Sequence, residues 1–138
     1  MLDFTTKFGR RVNRRLRQER IIWLTTVDSK GVPQPVPIWF HWDGKTILVF
    51  SERNKPKLQN IARNPRVVFN LNCDEHGGDV AVIHCEAEVL EKLPQPGRMQ
   101  TFLRKYKQGI KDIGKTEQGF KDAYSVPILF TPKAMRGF

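Results

Sequence analysis

Three prolines at alternate positions, Pro33, Pro35 and Pro37, run directly into Ile38-Trp39-Phe40-His41-Trp42. The β-branched and aromatic residues mark a strand. Each proline, however, lacks an amide donor, so this strand cannot lie in the middle of a fully paired sheet. The segment Val36 to Trp42 is therefore expected as a strand of which part lies at an edge or a sheet opening. Asp43-Gly44 then gives a strong hairpin signal, with Thr46 to Ser51 as the returning strand. A chain built around such a segment needs a sheet that stays partly open.

The flanking pattern agrees with this. Ile21 to Val27 reads as a buried strand closed by the turn Asp28-Ser29-Lys30-Gly31. Arg66 to Cys73, Asp79 to Leu90 and Tyr124 to Phe130 read as further strands, giving six in all. Helices are expected over Lys7 to Arg20, where Phe8, Val12 and Leu16 share a face, and over Pro56 to Asn64, where Leu58, Ile61 and Ala62 do. Two more are expected over Arg98 to Gln108 and between Thr116 and Ala123. Short strands joined by hairpins favour an antiparallel barrel over a βαβ sheet. The 138 residues suit one domain, 1–138, with residues 1–20 as an N-terminal helical segment. No apolar run is long enough to span a bilayer, and residues 1–20 have no apolar core of a secretory signal. A soluble cytoplasmic protein without a membrane partner is expected.

The formal charge of +10 is concentrated in three blocks. Residues 1–20, 53–66 and 98–121 each carry +5, and the remainder is net acidic. Such blocks attract anions: nucleic acid, a membrane surface or an anionic small molecule. Aromatic residues do not interleave with the basic ones as on an RNA-binding sheet, so a nucleic-acid partner is not expected. The spacings of His41, His76, His84, Cys73 and Cys85 match no zinc site, and no metal is expected.

The most informative basic stretch is Ser51-Glu52-Arg53-Asn54-Lys55-Pro56-Lys57, where a strand ends and a helix begins. Free amides at a helix start attract anions, and here a hydroxyl and three cations join them. The stretch reads as a phosphate cradle, or else as a solvated charged loop. It lacks the glycines of a Walker or dinucleotide loop. The proline-rich strand is a second candidate: its missing donors leave neighbouring backbone groups free for a planar ligand, and Trp39 offers a stacking face.

An ordered set of short stretches carries a family resemblance from about residue 20 onward. These are Pro35-Val36-Pro37-Ile38-Trp39-Phe40 with Trp42-Asp43-Gly44, then Lys57-Leu58-Gln59-Asn60-Ile61 with Arg63-Asn64-Pro65-Arg66-Val67. Gly77-Gly78-Asp79-Val80, Lys105-Tyr106, Ile113-Gly114-Lys115-Thr116, Tyr124-Ser125-Val126-Pro127-Ile128 and Arg136-Gly137-Phe138 follow. In this set the chain resembles the split-barrel oxidoreductases related to pyridoxamine 5′-phosphate oxidase, and within them the group using the deazaflavin coenzyme F420.

The resemblance implies a mainly β protein: a six-stranded antiparallel split barrel with short flanking helices, forming a homodimer with the cofactor between subunits. It implies that Val36, Pro37, Ile38 and Trp39 border the cofactor ring. It places the phosphate at Phe50, Ser51, Lys55 and Lys57, with Arg53 as a neighbour. Val36 stands where pyridoxamine-phosphate oxidases carry an arginine for the FMN phosphate. The substrate-binding arginine and histidine of those oxidases have no clear counterpart here. The expected activity is hydride transfer between bound F420 and a small organic substrate. The alternatives are an FMN-dependent reductase of the same fold, or a non-enzymatic protein that carries a flavin or another planar ligand. No residue demands the role of catalytic acid; Tyr106, Tyr124 and His41 are the available candidates. The basic block 98–121 is expected as a rim for the carboxylate tail of the deazaflavin.

Overall fold

The computed structural model describes residues 2–138, and its centre is one antiparallel seven-stranded sheet that curls into a half-barrel. The strands are β1 (Ile22–Val27), β2 (Pro33–Ile38), β3 (His41–Trp42), β4 (Ile47–Ser51), β5 (Arg66–Asn70), β6 (Ala81–Val89) and β7 (Val126–Gly137). Their order across the sheet is β2-β1-β5-β6-β7-β4-β3. The helices are α1 (Lys7–Gln18), α2 (Pro56–Arg63), α3 (Arg98–Lys105), α4 (Lys107–Asp112) and α5 (Glu117–Ala123).

The strand order forces the curl. β2 and β3 occupy opposite edges of the sheet, yet only Trp39 and Phe40 separate them in sequence. In a flat sheet six inter-strand steps would hold those edges about 29 Å apart, whereas the chain from Ile38 to His41 spans at most about 11 Å. The sheet must bring its edges together. The expected single strand Val36 to Trp42 is therefore two strands, which raises the expected count from six to seven.

The prolines explain why the barrel stays split. Pro33, Pro35 and Pro37 lie opposite Val27, Thr25 and Trp23 on β1. In such a ladder alternate residues turn their backbone groups to the same side. The amides that pair with β1 come from Gln34, Val36 and Ile38, and the outer edge of β2 presents carbonyls without donors. β3 pairs only with β4, not with β2. At the split, side chains replace the missing ladder. The Phe40 amide donates to the Tyr106 hydroxyl at 2.9 Å, and Lys105 Nζ donates to the Phe40 carbonyl at 2.9 Å.

β4 is buried along its whole length because both faces are covered. Ile47 and Val49 enter the barrel core with Leu24, Phe69, Ile83 and Phe130. Leu48 and Phe50 face a second apolar cluster formed by Phe102, Leu103, Tyr106, Ile110 and Phe120 of the α3–α5 region. This double burial accounts for an unbroken apolar run rather than alternation. α1 closes one end of the barrel with Val12 and Leu16, and Asn13 accepts the indole N–H of Trp42 at 2.8 Å. Thr6 caps α1 by accepting from the Gly9 amide, and Gly9 is required because a Cβ there would lie 2.0 Å from the Asp3 carbonyl oxygen.

Two boundaries differ from expectation. The helix expected over Arg98 to Gln108 breaks at Tyr106, whose side chain is committed to the split, and resumes as α4. The last strand runs to Gly137 instead of Phe130, because β6 supplies a partner along its entire length. No helix among the described residues is long and apolar enough to cross a membrane.

Candidate functional site

A cleft of about 310 Å³ opens between β2 and the α3–α5 layer. That volume falls within the range of small-molecule sites. One wall is Val36, Pro37, Ile38 and Trp39; the opposite side carries Phe50, Phe102, Ile113, Phe120 and Tyr124; Glu52, Lys55 and Lys57 stand at the polar end. Seven of the nine residues expected at a cofactor site therefore line one cavity. Ser51 and Arg53 do not. Ser51 is buried behind the wall and donates its hydroxyl to the Glu52 carbonyl at 2.8 Å. Arg53 is exposed and points its Nε to Ser125 Oγ at 3.3 Å.

The polar end is built by the start of α2. Lys55 is its N-cap, makes no side-chain cap bond, and is followed by Pro56. The first turn holds no acidic residue; Pro56 has no amide and the Leu58 amide donates to the Lys55 carbonyl at 3.0 Å, so the Lys57 amide and the positive end of the helix are left for an anion. Lys57 is half-buried, and burial, reinforced by neighbouring Lys55, pushes its pKa below the usual lysine range. Lys55 pairs with Glu52 at 3.1 Å. The bond and charge of Lys55 hold the Glu52 carboxyl below its ordinary value, while burial and the Glu52 carboxylate push Tyr124 upward.

The apolar walls are rigid. Trp39 lies parallel to Tyr106, with ring centroids 4.6 Å apart and planes inclined by 5°. Phe50 meets Phe102 edge-on at 4.8 Å, and Phe120 stacks on Tyr124 at 4.6 Å. One face of Trp39 is thus taken by the protein itself, and only the remainder of the ring is open to a ligand. Gly109 lies against the other end of the indole: a Cβ there would come within 3.1 Å of Trp39 Cη2 and Cζ2.

Phe102, Ile113 and Phe120 were not expected at this site; Glu52 was expected only as part of the charged stretch, and Tyr124 only as a candidate acid. Phe102, Tyr106 and Phe120 fall in segments expected to be helical and Tyr124 in one expected to be a strand, and nothing in their spacing says that they cover β4. No cation of residues 98–121 is among the lining residues, although, after the bond and charge of Lys55, the Lys115 charge helps hold the Glu52 carboxyl down. Arg98 instead turns inward, bonding His41 Nδ1 at 3.1 Å and Thr46 Oγ1 at 2.9 Å and pairing with Asp43 at 3.3 Å.

Of the three candidate acids, only Tyr124 faces the cleft. The Tyr106 hydroxyl is buried and donates to the Arg20 carbonyl at 2.7 Å. His41 is pushed down to about 4, chiefly by burial and then by the Arg98 charge. Among the described residues, no three His, Cys, Asp or Glu side chains gather as a metal site.

The profile of one family, described as pyridoxamine 5′-phosphate oxidase, matches residues 8–136. No curated protein matches the sequence. Several solved structures share the fold. An F420 reductase is 21% identical over 90% of this chain and 94% of its own, with a TM-score of 0.71. An FAD-binding protein from Mesorhizobium loti is 17% identical over 90% and 87%, with a TM-score of 0.66. The heme storage protein HutZ of Vibrio cholerae is 14% identical over 96% and 95%, with a TM-score of 0.64. At these identities the likeness is one of fold.

Proposed function

The chain belongs to the pyridoxamine 5′-phosphate oxidase family, and on that premise we propose that it is an oxidoreductase whose cleft holds a phosphorylated flavin-type cofactor. The deazaflavin F420 is the leading cofactor and FMN the alternative. One observation carries the reading: a narrow cleft with apolar walls ends at Lys55, Lys57 and the uncapped start of α2. A planar ring and an attached phosphate need these two environments at opposite ends of one cavity.

The residues present fit such a group. Lys57 and Lys55 would hold the phosphate, with the α2 amides adding their dipoles. The outer edge of β2 offers carbonyl acceptors, which suits the ring N–H groups of a flavin or deazaflavin. Trp39, braced by Tyr106, and Phe50, braced by Phe102, would keep the ring in one plane. When bound, the cofactor supplies hydride transfer to or from a small organic substrate. The protein binds, orients and excludes water. Tyr124 lines the cleft and keeps its proton, which is held toward the Glu52 carboxylate.

Two features support F420 over FMN: Val36 stands where the oxidases carry their FMN-phosphate arginine, and the F420 reductase shares the fold at a TM-score of 0.71. We also propose a homodimer. The cleft is open along β2, whose residues from Pro33 to Pro37 are all exposed, so a second copy would complete its outer wall. Side-by-side fluorescence titrations with F420 and FMN test the cofactor. Saturable binding with F420 the tighter ligand is expected; binding of neither overturns the reading. Binding without hydride exchange toward any acceptor would mark a carrier. Sedimentation of the purified protein tests the dimer.

A further inference from the structure

A second cleft lies on the other side of α3, between α1 and α3 above β3. It has a volume of about 340 Å³ and is lined by Arg17, His41, Thr101, Arg104 and Lys105 over a floor of Leu16 and Trp42. It shares no lining residue with the cofactor cleft.

Its chemistry is one-sided. No carboxylate lines it, and no carboxylate among the described residues lies within ion-pair distance of Arg17, Arg104 or Lys105. The indole N–H of Trp42 is already given to Asn13. Arg98 Nε–H donates to His41 Nδ1, so the neutral imidazole carries its own proton on Nε2. That N–H has no partner among the described residues, because the two contacts of His41 go through Nδ1 and the backbone carbonyl. Two guanidiniums, an ammonium whose one protein acceptor is the Phe40 carbonyl, and an imidazole N–H therefore line one cleft with no carboxylate paired to any of them. The cofactor cleft, by contrast, contains Glu52 as an internal counter-ion.

We propose that this cleft is a second anion site, taking a small, multiply charged phosphate-type ligand independently of the cofactor. Two guanidiniums suit the paired oxygens of a phosphate or diphosphate. Lys105 is held in place before any ligand arrives: Nζ donates to the Phe40 carbonyl and sits 3.9 Å from the centre of the Phe40 ring. Burial and the Arg20 charge push it down to about 8, the state of a cation short of negative partners.

The test is isothermal titration calorimetry of the full chain with inorganic pyrophosphate at constant ionic strength. Wild type should bind saturably. Arg17→Gln with Arg104→Gln should weaken binding at least tenfold, and Arg104→Gln alone severalfold. Both arginines are exposed, and an unchanged melting temperature verifies that the variants fold. Lys57→Ala should leave this binding intact. The proposal is overturned by absence of saturable binding, by undiminished binding in the arginine variants, or by loss of binding in Lys57→Ala, which would assign the pyrophosphate to the cofactor cradle.

Discussion

Glu52 holds Lys55 by an ion pair of 3.1 Å at the polar end of the cofactor cleft. An anion entering the cradle therefore competes with a carboxylate already there. Removing that charge in Glu52→Gln should tighten phosphate-bearing cofactor binding several-fold. It should also lower the Tyr124 pKa, because the Glu52 charge is one cause of its upward shift. Cofactor titration and ultraviolet titration of the tyrosines read the two effects. Unchanged cofactor affinity would show that Lys55 does not contact the phosphate.

Lys57 has no such internal partner. A charge-assisted hydrogen bond contributes about 1.5–3 kcal/mol, so Lys57→Ala should weaken the cofactor by roughly tenfold or more. Its side chain is only half-buried and lies outside the core, so the melting temperature should change little. Titrating F420 and FMN into the variant checks both.

Tyr106 is a hydrogen-bond hub of the split. Its hydroxyl accepts from the Phe40 amide and donates to the Arg20 carbonyl. Tyr106→Phe would leave a buried amide unpaired, and a loss of about 1–3 kcal/mol is expected in urea denaturation. A loss near zero would mean that water enters the split.

Gly109 sets the position of Trp39. In Gly109→Ala the new Cβ would come within 3.1 Å of the indole, so the ring must shift by a few tenths of an ångström. The helix gains about 1 kcal/mol from alanine, which offsets the crowding. Cofactor affinity should therefore fall more than stability does, and paired titration and thermal melts separate the two.

His41 makes stability depend on pH. Its folded pKa is lowered from 6.5 to about 4, so the unfolded chain binds the extra proton first on acidification. The contribution is complete above about pH 6.5 and is lost as pH falls toward 4. Discounted for partial exposure, it is on the order of 2 kcal/mol. Urea denaturation of wild type and His41→Gln between those limits should show a steeper loss of stability in wild type, the remaining slope coming from carboxylates such as Glu52 and Asp43.

Much of the barrel was legible because strand composition and turn signals are local. The split was legible in Pro33, Pro35 and Pro37, since a missing amide is a covalent fact. The break at Trp39-Phe40 was not, because it depends on which partners Ile38 and His41 find at opposite edges of the sheet. The cradle residues Lys55 and Lys57 were readable from a charged strand-to-helix junction. Ser51 has the right type and place in sequence, yet strand alternation turns it behind the wall. Phe102 and Phe120 were invisible as site residues, since their contribution comes from tertiary packing on β4. The inward turn of Arg98 was illegible for the same reason: its bonds to His41 and Thr46 are tertiary.

β7 pairs with β6 on one side and β4 on the other, and it is the last strand in the sequence. During vectorial synthesis β4 must wait, already made, until residues 126–137 leave the ribosome to dock it. Phe50, on β4, lacks its ladder partner Pro127 until then, whereas α2 packs on β1 and β6, which are made earlier. No residue of β7 lines the cleft, yet a polypeptide stalled just before it would carry every lining side chain without the strand that docks β4.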